Sequence, residues 1–161
     1  MSGEKRISKR RLKYLVLIIA LGAFLSSSYF AFKLWEEKRW VEMQKIEVLK
    51  VVHSHIQAFN ERDAEKYYSY ISEKSKEKIK LQDIEDMLER AEQNGAIIEF
   101  SGISEFKIEE ILGEKIATVV GETILNLNGE IRTQPFFGKF RLEKGEWKFI
   151  DPFAEPEMYV P

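Results

Sequence analysis

The feature that most constrains the fold is a change in the spacing of apolar residues at Asn94 and Gly95. Before this pair, apolar residues recur at intervals of three and four, which is the spacing of an amphipathic helix. After it, segments rich in Ile, Val, Thr, Phe and Trp alternate at intervals of two, as strands do. Helices followed by strands predict a segregated α+β domain, in which helices cover one face of an antiparallel sheet.

Three helices are predicted before the change in spacing. A long helix over residues 35–60 places apolar residues on one face from Val48 onward. The stretch "NERDAEKYY" interrupts it, and Asp63 is suited to cap a second helix that ends near Ile71. A third helix covers "LQDIEDMLERAEQNG", where Asn94 and Gly95 supply the C-terminal stop.

Five strand-like segments follow. They are "AIIEF", "EFKIEEI", "KIATVVGETILNL", "EIRTQPFFGKFRL" and "EWKFIDP". Asn128 with Gly129, and the stretch "EKGE", predict tight hairpin turns. Pro135 cannot donate a ladder hydrogen bond, so it marks an edge or a bulge. We therefore expect a strongly curved antiparallel sheet.

The N-terminal segment predicts a membrane anchor. Residues 1–13 hold six basic residues against one acidic residue, and residues 15–32 carry no charge. As a helix, this uncharged run would measure about 27 Å, close to the ~30 Å hydrocarbon core of a bilayer. A cleaved signal peptide is the alternative, but the run exceeds the usual apolar region of such peptides, and no helix breaker follows it. The basic block places the N-terminus in the cytoplasm.

These observations predict five segments. They are a cytoplasmic basic tail at 1–13, a transmembrane helix at 14–34, a stalk helix at 35–45, a folded domain at 46–153 and an extended tail at 154–161. The predicted protein is a single-pass bacterial membrane protein whose folded domain is extracytoplasmic, and membrane lipid is its partner through residues 14–34.

Composition excludes several functions. There is no cysteine, which rules out disulfides, thiolate metal sites and catalytic thiols. Beyond residue 13 the chain has 19 basic and 26 acidic residues, an imbalance that argues against nucleic-acid binding. The two histidines lack a supporting carboxylate spacing, and no glycine-rich phosphate loop occurs, so we predict no metal and no cofactor.

Three motifs carry a resemblance to a known family. The helix end "AFNERDAEKYYSYIS", the stop "AEQNG" and the final hairpin "LEKGEWKFIDP" resemble those of the nuclear transport factor 2-like superfamily over roughly residues 46–153. The resemblance implies an α+β cone with the first helix across the sheet. In that family, enzymes use an Asp, His or Tyr pointing into the cone, whereas other members bind small ligands or protein partners. Single-pass members include scaffold subunits of bacterial conjugation and type IV secretion machines.

His55 and Tyr67 are the candidate residues on the helices. Helical spacing places His55 at the edge of the apolar face, where it could point into a cone. There it would act as a general base, or it would be a half-buried side chain bonded to a backbone carbonyl. Tyr67 is a candidate for stabilising an oxyanion, although a core position explains it equally well.

The strands add three polar candidates within apolar stretches. Glu122 close to Arg132 or Arg141 would form a polar cone floor suited to a ligand. Alternation along the strands could instead turn all three toward solvent on the outer face.

Two functional hypotheses follow. The first is a protein-interaction or assembly module of an envelope complex, through a protein partner or self-association. The second is a small-molecule sensor, or an isomerase or dehydratase, that uses the cone pocket. Whether the chain is an enzyme stays open, and the lack of a convincing catalytic set leans against it.

Overall fold

The computed structural model describes the backbone of residues 9–159 and the side chains of residues 14, 17 and 19–159. The chain divides into two compact units, Met1–Glu42 and Met43–Pro161. Helix α1, Lys9–Glu61, contributes to both of them. The predicted basic tail falls largely on residues 1–8, which lie outside the described residues.

The described residues of the first unit form the N-terminal part of α1. Many of its large apolar side chains are exposed, and the hydroxyls of Ser26, Ser27 and Ser28 donate to backbone carbonyls four residues earlier. A membrane span needs about 20 consecutive, mostly apolar residues. Among the residues that the structure describes, no helix is long and apolar enough to cross a membrane.

This finding corrects four predictions. The transmembrane helix at 14–34, the signal anchor, the lipid partner and the single-pass location with an extracytoplasmic domain were wrong. The physical reason is polarity within the described stretch, since three successive serines interrupt its apolar side chains and charge begins again at Lys33.

In the second unit, three shorter helices follow α1. Helix α2 spans Ala64–Ser69, α3 spans Glu73–Lys76 and α4 spans Leu81–Gln93. Asp63 caps α2, because its side chain accepts a hydrogen bond from the Lys66 amide at 2.9 Å. Asn94 ends α4, and Gly95 follows it with a φ of 56°. Local capping therefore sets the start of α2 and the end of α4, as the sequence predicted.

Four antiparallel strands form one sheet in the order β1-β2-β3-β4. They span Ala96–Ile111, Glu114–Leu127, Glu130–Glu143 and Glu146–Ile150. The predicted α+β class, with helices first and an antiparallel sheet afterwards, is confirmed. Because β4 pairs only with residues 139–143 of β3, Pro135 lies where β3 has a partner on one side only, as its missing N–H requires.

The first two predicted strand segments are a single strand, β1. Its register shifts at Ser101 and again at Ser104, which are extra residues of two β-bulges. Their hydroxyls donate to the Glu122 and Val120 carbonyls of β2. Gly121 lies so close to the β1 backbone that no Cβ would fit. Residues 101–104 separated the two predicted segments, whereas β1 continues through them with a bend.

The two faces of the sheet are covered by different parts of the second unit. On the inner face, Ala117, Val119, Phe140 and Trp147 pack against Val48 and Val52 of α1. On the outer face, Ile116 and Ile150 pack against Met158. Residues 154–159 were predicted to be extended, but Ala154 and Glu155 are buried, and Pro156–Met158 forms a 3-10 helix. The C-terminal segment is thus part of the fold.

Candidate functional site

A pocket of about 180 Å³ lies on the inner face of the sheet. It is bounded by α1, α2 and all four strands. Six of its eight lining side chains are apolar or aromatic, and seven of the eight are only partly buried, so the pocket reaches solvent. The lining residues are His55, Ile56, Phe59, Tyr67, Ile98, Thr123, Phe136 and Phe149.

His55 is a buried polar residue of this pocket with an unpaired nitrogen atom. It is 9 % exposed, and its ring lies 3.8 Å from the Tyr67 ring and 4.8 Å from the Phe149 ring, measured between centroids. Its Nε2 atom is buried and has no hydrogen-bond partner among the described residues. The predicted bond to a backbone carbonyl is therefore not observed at this atom. A buried polar atom left unpaired costs roughly 1–3 kcal/mol.

Burial keeps the pocket uncharged. It lowers the pKa of His55 to about 3, so the imidazole is neutral at physiological pH. Burial also raises the pKa of Tyr67, with a smaller contribution from the carboxylate of Asp151. A neutral imidazole offers one donor and one acceptor nitrogen. The polar groups of His55 and Tyr67 in this pocket are therefore neutral.

The other sequence-predicted residues lie outside this pocket. Glu122 is exposed on the outer face of the sheet, opposite Pro135 in the register. Arg132 is exposed and pairs with Glu130 at 2.6 Å. Arg141 belongs to the outer face as well, but it is only 3 % exposed. The structure brings together His55 and Tyr67, and it places the three strand candidates elsewhere.

Arg141 belongs to a second buried polar group, on the outer face, which we call the arginine cluster. It consists of Arg141, Glu155, Ser72 and Ser75. The Arg141 guanidinium donates to both carboxylate oxygens of Glu155, at 3.1 and 2.6 Å, and to Glu114 at 2.9 Å. The hydroxyls of Ser72 and Ser75 donate to the same carboxylate at 3.0 and 2.6 Å. Every polar partner here is supplied by the chain itself.

Glu155 was missed by the sequence analysis. Burial acts to raise its pKa, but hydrogen bonds from Arg141 and Ser75 outweigh it and hold the pKa at about 2. The stretch "FAEPEMYVP" has no period that would indicate a buried carboxylate, so no local signal could have found it. Among the described residues, no group of three or more His, Asp or Glu side chains is arranged to hold a metal ion.

Comparison with known proteins gives matches to solved structures only. No family model matches the chain, and no curated protein matches it. An NTF-2 like protein of unknown function from Shewanella oneidensis MR-1 is 15 % identical, with a TM-score of 0.49 over 67 % of this chain and 96 % of that one. A provisionally named NTF2-like transpeptidase from Campylobacter jejuni is 16 % identical, with a TM-score of 0.38 over 62 % and 94 %. Both matched proteins carry the NTF2-like name that the motifs predicted.

Proposed function

We propose that the second unit is a binding module for a small, mostly apolar molecule that carries one polar group. The observation that carries the proposal is the unpaired, buried Nε2 of His55 in a mostly apolar pocket. A bound hydroxyl or carbonyl would satisfy that atom, and the apolar walls would hold the rest of the molecule.

The size of the pocket limits the molecule. A cavity of about 150 Å³ holds one benzene molecule, so about 180 Å³ suits a single ring with one small substituent. Charged ligands are disfavoured, because neither His55 nor Tyr67 supplies a charge at neutral pH.

Binding is favoured over proton abstraction. A general base works best when its pKa lies near the working pH, whereas the pKa of His55 is about 3. The hypothesis of a protein-interaction module stays a prediction, and no feature of this pocket supports it.

The test uses phenol and toluene, two rings of similar size of which only phenol can hydrogen-bond. Both are titrated into the full chain, and binding is followed by amide chemical shifts at Ile98 and Thr123. We expect the ratio of phenol affinity to toluene affinity to fall about fivefold in His55→Phe, since one buried hydrogen bond contributes roughly 1 kcal/mol.

His53→Phe is the matched control, because His53 is the other histidine of α1 and is exposed. It should leave the ratio unchanged. If neither ring shifts the pocket amides at millimolar concentration, or if His55→Phe leaves the ratio unchanged, the proposal is wrong.

A further inference from the structure

The outer edge of β1 is covered at its start only. The side-chain amide of Asn60 donates to the Ile98 carbonyl at 2.7 Å, and its oxygen accepts from the Ile98 amide at 2.9 Å. Arg62 donates to the Ala96 carbonyl. The hydrogen bonds that the structure describes from outside the sheet to the β1 backbone are those at Ala96 and Ile98. Since β1 is the first strand of the sheet, alternate backbone groups of residues 99–111 are available to a further strand.

Past the second bulge, the uncovered edge is acidic. Glu105, Glu109 and Glu110 are exposed, and Lys107 is the one basic residue of the segment, paired with Glu109 at 2.7 Å. An acidic edge discourages pairing with a second copy of itself and favours a strand that carries basic side chains.

A second observation lies at the end of the same edge. Three tight turns join the four strands, and each places a residue with positive φ before a glycine: Leu112 at 54°, Asn128 at 52° and Lys144 at 50°. Asn is common in this left-handed region, whereas a bulky apolar residue is disfavoured there. Leu112 is also 93 % exposed. Leu112 is therefore an exposed apolar side chain on a disfavoured backbone conformation, at the end of the uncovered edge.

We propose that residues 105–111 together with Leu112 form a docking edge for an extended basic peptide segment. The segment adds as a fifth strand beside β1, and its main chain hydrogen-bonds to the open edge. Basic side chains of the segment meet Glu105 and Glu109, which lie four residues apart on one face of β1, and an apolar residue of the segment packs on Leu112. This surface is separate from the pocket that contains His55.

The test measures binding of a fluorescent peptide, Lys-Val-Lys-Val-Lys-Val-Lys, to the full chain by anisotropy. One comparison peptide carries Glu at each Lys position, and another keeps the lysines but has alternate backbone amides N-methylated. We expect the acidic peptide not to bind and the N-methylated peptide to bind at least tenfold more weakly. Equal binding of the methylated peptide would show charge attraction without strand pairing, and would overturn the proposal.

Protein variants locate the site. Glu105→Lys with Glu109→Lys should weaken peptide binding at least tenfold. The matched control, Glu85→Lys with Glu89→Lys on the exposed side of α4, makes the same change in charge and should retain binding. If both double variants lose binding alike, or if the unliganded protein dimerises through β1, the proposed occupant is wrong.

Variants at Leu112 and Asn128 distinguish a role in peptide docking from a role in folding. Leu112→Asn should raise the melting temperature by a few degrees, because strain is relieved, and should lower peptide affinity several-fold. The reciprocal variant Asn128→Leu should lower the melting temperature and leave peptide affinity unchanged. A lower melting temperature in Leu112→Asn would show that Leu112 serves the fold, and would contradict its role as an anchor.

Discussion

Two buried polar groups lie on opposite faces of the same sheet, and they are treated differently by the chain. On the outer face, the Arg141 guanidinium is held by Glu155, Glu114 and Ser72. On the inner face, Nε2 of His55 has no partner among the described residues. Burial is similar at the two positions, so burial alone does not distinguish a structural residue from a binding residue. The two positions differ in whether the surrounding residues provide hydrogen-bond partners.

The difference has an energetic meaning. A buried charge is tolerated when it is paired and its remaining hydrogen bonds are made, and removing one partner leaves the other uncompensated. A buried neutral group without a hydrogen-bond partner lowers the free energy of unfolding, and a ligand that bonds to it can restore that free energy. The arginine cluster should therefore respond to mutation as part of the fold, and His55 as part of a site.

The largest expected effect is at Arg141. Arg141→Ala leaves Glu155 buried with only the half-exposed Lys74, at 3.5 Å, as a counter-charge, so we expect the free energy of unfolding to fall by about 3 kcal/mol, measured by urea denaturation. The double variant Arg141→Met with Glu155→Leu removes both charges and should recover much of that loss. If Arg141→Ala costs less than about 1 kcal/mol, the cluster resembles a surface ion pair, and the comparison fails.

The second effect depends on pH. The pKa of His55 is about 3 in the folded protein, because burial disfavours the charged form, and an unfolded histidine titrates near 6.5. Between these values the unfolded chain binds more protons, so stability is full above pH 6.5 and falls as the pH drops toward 3. From pH 7 to pH 5 the wild-type protein should lose ~2 kcal/mol more than His55→Phe. Equal losses in urea titrations at the two pH values would contradict the buried, neutral imidazole.

The smallest expected effect is a gain in the free energy of unfolding, whereas the first is a loss. At pH 7, His55→Phe replaces an unpaired polar ring by an apolar one, so we expect the free energy of unfolding to rise by about 1 kcal/mol. His55→Gln, which keeps a polar group at the position, should give no such gain. A loss of stability in His55→Phe would mean that the imidazole is satisfied in solution, which would remove the contrast with Arg141.

The parts of the fold that were predictable are those decided by neighbouring residues. Asp63 caps its helix with its own side chain, and Asn94 with Gly95 ends another. Asn128 with Gly129 forms the predicted hairpin turn between β2 and β3. Helical spacing also placed His55 at the edge of the apolar face, where the pocket lies.

What could not be predicted depends on contacts between distant residues. Glu155 can be buried because Arg141 of β3 and Ser72, which lies 83 residues earlier in the chain, both donate hydrogen bonds to its carboxylate. Strand alternation had left the side of Glu122 open, and the structure places it on the outer face of β2. The missing partner of His55 is likewise a property of the assembled second unit, since it depends on every group that surrounds the ring.

The two bulges of β1 also determine where this strand can change in length. Phe100, Ile103 and Phe106 all reach the core although they lie three residues apart, because Ser101 and Ser104 have no partner in β2. The residues on either side of each serine pair with consecutive residues of β2, so loss of either serine would keep these pairs in a straighter strand. Loss of a residue farther along, within 107–110, would instead turn the side chains that follow it to the other face. Deletions are therefore expected to be tolerated at the two serines and not in the paired part of the strand.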